Sequence, residues 1–410
     1  MTISATINRI EFNKVLNRAK RQTLKKHDFY QYVKIEFNGR MRVISENTEN
    51  QIFETVSDSR YEGQSEFFIH PDSIKPLIPK KGKYFSIEFD SNENELRING
   101  CTCSAPTMIS KQSVEKKLDG VGNVESSRVQ FVENFEKAYQ RGNLKKAISL
   151  SGFQLLRMLE SVYCALEKDS NRRFALNGIC FEFAEYDSEE LLNLIATDGR
   201  RLHFSQSSKK GNHNRPCESE SGIVPAHACK QLIDTLKTKK ESEVIIQLFE
   251  NSIKFLICSD STSIESRIIE GRFPNYFDVM QSANKTDCVH LFDKKEIEQL
   301  QGFLSQIVGF KDEIRGIDFR ISRENVFGVY DNPNYGKPKY GKPEKMEQLL
   351  VTYDCLFLSE IFKSFPDSVF DFHVNSDEIG TGKSSSSAGF FRAQCEKIDV
   401  SFQAVLMPYG

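Results

Sequence analysis

The sequence predicts an α+β chain in which one domain pattern, two helices packed on antiparallel sheets, is used three times. Three observations lead to that expectation. An alternating apolar strand recurs as Val33-Lys34-Ile35-Glu36-Phe37, Gly178-Ile179-Cys180-Phe181-Glu182-Phe183 and Gly316-Ile317-Asp318-Phe319-Arg320, roughly 140 residues apart. A helical apolar period precedes each strand: Phe12, Val15, Leu16 and Ala19; then Phe153, Leu156, Leu159 and Val162; then Ile297, Leu300, Leu304 and Ile307. A second helix-like segment follows each strand, at Asp72 to Ile78, Ala226 to Leu236 and Asp354 to Phe362.

Short apolar runs lead into those second helices: Phe67-Phe68-Ile69, Ile223-Val224 and Leu349-Leu350-Val351. Two further strand candidates close each copy, such as Val244 to Phe249 and Ser252 to Ile257. Repeats of this length are whole domains, because each copy has enough elements to bury its own core. The expected bounds are 1–125, 146–276 and 286–410, with a charged linker at 126–145. That linker belongs to a Ser/Lys/Glu-rich stretch from Ile109 to Asn143, with a helical piece expected at Val129 to Tyr139. Gln206 to Ser221 and Asp331 to Glu347, the latter with its repeated Tyr-Gly-Lys-Pro, read as loops.

The composition describes a soluble globular protein, with 39% hydrophobic and 27% charged residues. No run of eighteen apolar residues is present, and Met1 to Thr6 has neither the basic start nor the apolar centre of a secretory signal. The cytoplasm is the expected compartment. The 10 cysteines have no regular framework, so they read as reduced thiols, most of them small buried apolar groups. Cys101 and Cys103 lack a second metal-ligand pair, and neither a metal nor a cofactor is expected.

The formal charge of −2 argues against a nucleic-acid binder unless the cations are segregated on one surface. Their placement suggests segregation. Lys14, Arg18, Arg21 and Lys25 share one helical stripe opposite the apolar set of the first helix. Arg157 and Lys168 share another, as do Lys230 and Lys237, while Lys75, Lys80, Lys81 and Lys83 cluster near the second helix of the first copy. The third copy is poorer, with Lys294, Lys295, Lys311 and Lys363. Any one stripe also fits a merely solvated helix face.

Three strings carry a family resemblance. Ala196-Thr197-Asp198-Gly199-Arg200-Arg201-Leu202 follows the apolar strand Leu191 to Ile195 and reads as a strand ending in a tight polar turn. Gly271-Arg272-Phe273-Pro274-Asn275-Tyr276 comes later, and Val405-Leu406-Met407-Pro408 lies near the C-terminus. In order, spacing and position they resemble the bacterial DNA polymerase sliding clamp, the beta subunit of the replicative polymerase. The strongest likeness covers residues 172 to 280 and the last six positions.

The resemblance implies three clamp domains forming half of a ring, closed as a head-to-tail homodimer around duplex DNA. Basic helices would line the hole and hold phosphates without reading bases, which leaves the complex free to slide. The residues expected to touch DNA are Lys14, Arg18, Arg21, Lys25, Lys26, Arg157, Arg172, Arg173, Lys230 and Lys237. Ile307 and Val308 resemble the apolar patch of the family's subunit interface, although both also fit ordinary core. A hydrophobic pocket between domains two and three is implied for short peptides of the polymerase catalytic subunit, the clamp loader and repair proteins. Its lining would be Leu176, Thr197, Gly199, Arg201 and Leu202, together with Pro274, Val279, Val405, Met407 and Pro408. Aliphatic walls of this kind accept an apolar anchor, and Met407 can repack around different guests. The sequence departs from the family at Arg200, where a His is common, at Asp278, where a basic residue is frequent, and in its Tyr409-Gly410 end.

No phosphate-binding Gly-rich loop, His-Glu-x-x-His or Gly-x-Ser-x-Gly is present, so catalysis is not expected. The competing reading is a hydrolase or transferase using Asp198, His203 and a cysteine. A specialised paralogue serving a plasmid, phage or repair polymerase is a further alternative.

Overall fold

The computed structural model describes residues 2–23, 32–47, 50–90, 95–103, 108–109, 143–167, 174–186, 189–208, 216–260, 262–283, 286–309, 316–321, 326–331, 337–341, 349–366, 368–374, 388–395 and 399–408. Among them run seven α-helices: α1 (Arg9–Gln22), α2 (Pro71–Ile74), α3 (Gly152–Tyr163), α4 (Ala226–Leu236), α5 (Phe277–Ala283), α6 (Lys294–Gly309) and α7 (Cys355–Ser364). The repeated pattern appears as three helix pairs, α1 with α2, α3 with α4, and α6 with α7. Side-chain caps set the helix starts. Asn8 accepts from the amides of Ile10 and Glu11, Ser151 from Gln154, and Asp354 from Leu356 and Phe357. Asp293 and Glu296 form a reciprocal capping box at α6, with bonds of 2.8 and 3.2 Å. The second helix expected at Asp72 to Ile78 is instead the single turn of α2 followed by a 3-10 turn at Lys75–Leu77.

The chain folds as two compact units, one of Met1–Ser149 with Ser242–Arg267, the other of Leu150–Glu241 with Ile268–Gly410. In the first unit a nine-stranded antiparallel sheet runs Met108–Ile109, Ser65–Ile69, Val33–Asn38, Arg40–Glu46, Asn50–Val56, Thr262–Arg267, Ser252–Ile257, Glu243–Phe249, Leu144–Ser151. A five-stranded sheet runs Ser59–Glu62, Thr2–Asn8, Tyr84–Asp90, Glu95–Ile98, Cys101–Cys103. Phe12, Val15, Leu16 and Ala19 of α1 join Ile35, Phe37, Met41 and Val43 in one buried cluster, as the helical and strand periods require.

In the second unit an eight-stranded sheet runs Glu218–Pro225, Gly178–Tyr186, Glu189–Thr197, Arg201–Gln206, Val400–Leu406, Gly389–Cys395, Phe370–Val374, Asp287–Phe292. A four-stranded sheet runs Lys339–Tyr340, Val326–Val329, Gly316–Ile321, Leu349–Asp354. Phenylalanines fill the helix-covered core of the eight-stranded sheet: the Phe362 and Phe391 rings lie 5.7 Å apart, and those of Phe372 and Phe391 4.7 Å apart.

Two strand pairings explain why the units differ from the sequence pattern. Ile264 pairs with Ile52, and Leu202 pairs with Val405, so each large sheet runs from one copy of the pattern into the next. Gly178 permits close packing at the sheet edge, because a Cβ there would lie 2.7 Å from the Val224 carbonyl.

Three expectations about loops need correction. Glu218 to Ser221 belong to a strand paired with Gly178–Tyr186, and Lys339–Tyr340 add a strand to Val326–Val329. Leu144–Ser151 is a strand that begins inside the stretch assigned to the linker. The polarity that suggested loops fits edge strands equally well, since one face and one edge of such a strand meet water. The helical piece expected at Val129 to Tyr139 lies outside the described residues. No helix among the described residues is long and apolar enough to cross a membrane.

Candidate functional site

The turn Thr197 to Leu202 is held by its own side chains. Thr197 Oγ1 donates to the Arg201 carbonyl at 2.6 Å and accepts from the Gly199 amide at 3.1 Å. Asp198 Oδ1 accepts from the amides of Arg200 and Arg201 at 2.9 and 3.0 Å. Gly199 has φ 86°, a left-handed conformation that glycine adopts without a Cβ clash. The turn brings Arg200 beside the last strand, where its carbonyl accepts from the Met407 amide at 3.0 Å.

Alternation along the strands then sorts the expected lining. Leu202 and Val405 face each other and share a buried cluster with Cys180, Ile195, Phe204, Met280 and Phe390, flanked by Phe273 and Tyr276. Met407 and Val279 stand at its margin, 46% and 39% exposed. Pro274 and Gly199 are exposed, Pro408 is half-buried, and Thr197 and Leu176 are buried. The structure thus gathers Leu202, Val405, Met407 and the segment bearing Pro274 and Val279.

Arg201 departs from the expectation. It neighbours Leu202, so it points to the opposite, helix-covered face, where its side chain is 1% exposed. There its guanidinium pairs with Asp198 at 3.1 Å and with Glu360, donates to the Cys164 carbonyl, and lies 4.1 Å from the Phe357 ring centroid. Arg201 joins the polar turn to α3 and α7, and forms no open pocket wall.

A polar network on the Leu202 face was not anticipated. Glu182 Oε2 accepts from Tyr276 Oη at 2.5 Å and from Asn193 Nδ2 at 2.8 Å, and Gln206 Nε2 donates to Asn193 Oδ1 at 2.9 Å. Burial first, and the charge of Glu182 second, push the Tyr276 hydroxyl far up, so it stays a proton donor. Burial likewise raises Tyr186 to about 12. The available signal was an acidic residue, Glu182, among the inward positions of the mostly apolar strand Gly178 to Tyr186. A cavity of about 590 Å³ adjoins this network, walled by Ser219, Ser221 and Ile223 on one side and by Ile268 to Phe277 on the other.

Of the cations expected to touch DNA, Lys14 and Arg21 are exposed on α1. Lys230 and Lys237 on α4 have side chains 52% and 48% exposed, and they lie near Asp234 at 3.6 Å and Glu160 at 3.5 Å. Arg157 is half-buried and donates to the Pro366 carbonyl at 3.5 Å. Arg18 departs from its stripe: its guanidinium grips Glu54, which is 1% exposed, from the sheet beneath α1. A long side chain at the edge of a helical face reaches inward when a buried carboxylate awaits it. Lys25, Lys26, Arg172 and Arg173 lie outside the described residues. Ile307 is 3% exposed within the core that also buries Leu300 and Leu304, and Val308 is half-buried.

Residues 149–275 match the family described as DNA polymerase III beta subunit, central domain. That match covers about a third of the chain, and its sequence is similar there to beta sliding clamps. A beta sliding clamp of Haemophilus influenzae is 28% identical over 158 residues, 37% of this chain and 40% of that protein. One from Rickettsia felis is 26% identical over 136 residues, 33% of each. The matched sequence therefore spans two fifths or less of these curated relatives. The fold extends the likeness along the whole chain. A sliding clamp (DNA polymerase III subunit beta) of Bartonella birtlesii, solved with griselimycin, superposes with a TM-score of 0.74 at 18% identity over 100% of both chains. The beta subunit of Thermotoga maritima gives 0.70 at 15%, over 100% of this chain and 99% of that one.

The residues proposed for a hydrolase do not make one. Asp198 is committed to the turn and to Arg201. His203 is fully buried, with Nδ1 2.8 Å from the Ser161 carbonyl and 3.6 Å from Cys164 Sγ. Burial, then the neighbouring Arg201 charge, lowers His203 to about 3, too weak a base to take a thiol proton near neutrality. Among the described residues no cluster of His, Cys, Asp or Glu could hold a metal.

Proposed function

We propose that the chain is a sliding clamp, a non-catalytic processivity factor of the cytoplasm built from clamp domains at 1–125, 146–276 and 286–410. Two copies close head to tail around duplex DNA, hold it without sequence preference, and tether the polymerase catalytic subunit, the clamp loader and other partners by short peptides. The observation that supports this best is the solvent-facing basic set on equivalent helix pairs, Lys14 and Arg21 on α1 and Lys230 and Lys237 on α4, in a chain of net charge −2. Such a surface attracts phosphates along any sequence, so a closed ring slides without meeting deep wells. Val308 remains the candidate for the subunit interface. The peptide site is the cluster of Leu202, Val405 and Met407 with Pro274 and Val279 at its rim. Griselimycin, bound to the Bartonella birtlesii relative, is a suitable probe for it.

The decisive measurement is retention on nicked circular DNA, with release when the circle is cut. Retention that survives linearisation would point to ordinary affinity and defeat the ring.

A further inference from the structure

We propose that the Tyr276–Glu182 hydrogen bond is a latch that positions the peptide pocket, making Tyr276 and Glu182 positioning residues for binding. The inference rests on the pocket reading above. Pro274 and Val279 belong to a segment, Gly271 to Ala283, whose first six residues form neither helix nor strand. Gly271, Arg272, Pro274 and Asn275 are exposed, and the cavity of about 590 Å³ lies along this stretch, so packing alone holds it weakly.

Phe273 packs against the Leu202–Val405 cluster, and bonds at the two ends of the segment add to its hold. Upstream, the Ile269 amide donates to the Ile223 carbonyl at 2.7 Å. Downstream, the Tyr276 ring stacks on Phe204, 6.0 Å between centroids, and its hydroxyl donates to Glu182 at 2.5 Å. The Tyr276 carbonyl then accepts from the Met280 amide at 3.1 Å, starting the turn of α5 that sends Met280 into the Leu202–Val405 cluster and leaves Val279 at the surface. Tyr276 is therefore the hinge between two pocket residues. A hydrogen bond to a buried carboxylate, itself oriented by Asn193, fixes that hinge more firmly than a neutral one would.

When the latch opens, the segment samples positions that misplace Pro274 and Val279. Apparent affinity then falls by the fraction of molecules still competent to bind.

The test measures binding of fluorescently labelled griselimycin to the full chain at a temperature where circular dichroism finds every variant folded. Tyr276→Phe keeps the ring stack and removes the bond, so affinity should fall about three- to tenfold. Glu182→Ala should fall equally, the double variant no further, and Glu182→Gln, which keeps an acceptor, should stay within about twofold of wild type. Amide exchange across 277–283 should quicken in Tyr276→Phe. If wild type binds and Met407→Ala weakens it while Tyr276→Phe changes it less than twofold, the latch is wrong and the pocket stands. If wild type does not bind, the pocket reading fails and the latch falls with it.

Discussion

A buried acid in the first compact unit and a buried base in the second show one physical rule acting in two directions. In the first unit Glu46 is 6% exposed, its Oε2 has no hydrogen-bond partner among the described residues, and burial raises it to about 8 against the pull of Arg267. In the second, burial lowers His203 to about 3, aided by the Arg201 charge. Burial disfavours the charged form in both cases, so the acid keeps its proton and the base refuses one. Each unit also turns an arginine inward. Arg18 meets one buried carboxylate, whereas Arg201 meets two carboxylates, a carbonyl and a ring.

The largest expected effect separates those arginines. Arg201→Ala strands Asp198 and Glu360 and should cost the second unit about 3–5 kcal/mol, read as accelerated amide exchange and a lowered urea midpoint. Arg18→Ala should cost the first unit about 2–3 kcal/mol, because it breaks one pair whose arginine keeps 12% exposure. Equal losses would erase the distinction.

The pH dependence sharpens the contrast further. The folded pKa of His203 lies below its unfolded value of 6.5, so its contribution is present above 6.5 and is lost as pH falls towards 3. Glu46 has a folded pKa above its unfolded value of 4.5, so its contribution is full below 4.5 and is lost as pH rises towards 8. Each slope is about 1.4 kcal/mol per pH unit for one proton. Urea titrations across these windows should show the acid-side slope flatten in His203→Gln and the alkaline-side slope flatten in Glu46→Gln. Identical slopes in wild type and variant would refute the assignment.

The smallest stability effect lies at Met407. Met407→Ala should leave stability within about 0.5 kcal/mol, since the side chain is 46% exposed, while Leu202→Ala should cost about 2–4 kcal/mol. Combined, they should weaken griselimycin binding; unchanged binding would remove these residues from the site.

Much of the fold was legible because period reports burial directly. The apolar spacing Phe12, Val15, Leu16, Ala19 marks the buried face of α1, and Ala226 to Leu236 matches α4 at both ends. Asp198-Gly199 announces its turn, since only certain residues suit that backbone. The candidate site was legible in part: Leu202 and Val405 share one buried cluster, whereas Arg201, one residue from Leu202, faces away. A motif names neighbours in sequence, and a strand sends neighbours to opposite faces. Ile307 is buried together with Leu300 and Leu304, and its spacing from them is that of a core stripe.

The sequence by itself determined the repeated helix-and-strand pattern, the caps and turns, and which residues are apolar enough to be buried, because these depend on local spacing and backbone preference. Only the tertiary structure decided that sheets run across the copies, that Arg18 and Arg201 turn inward, and that Glu182 and Tyr276 meet across 94 positions of chain. Long-range pairing and the choice of a charged partner depend on which groups burial brings within a few ångströms, and no local spacing encodes that distance.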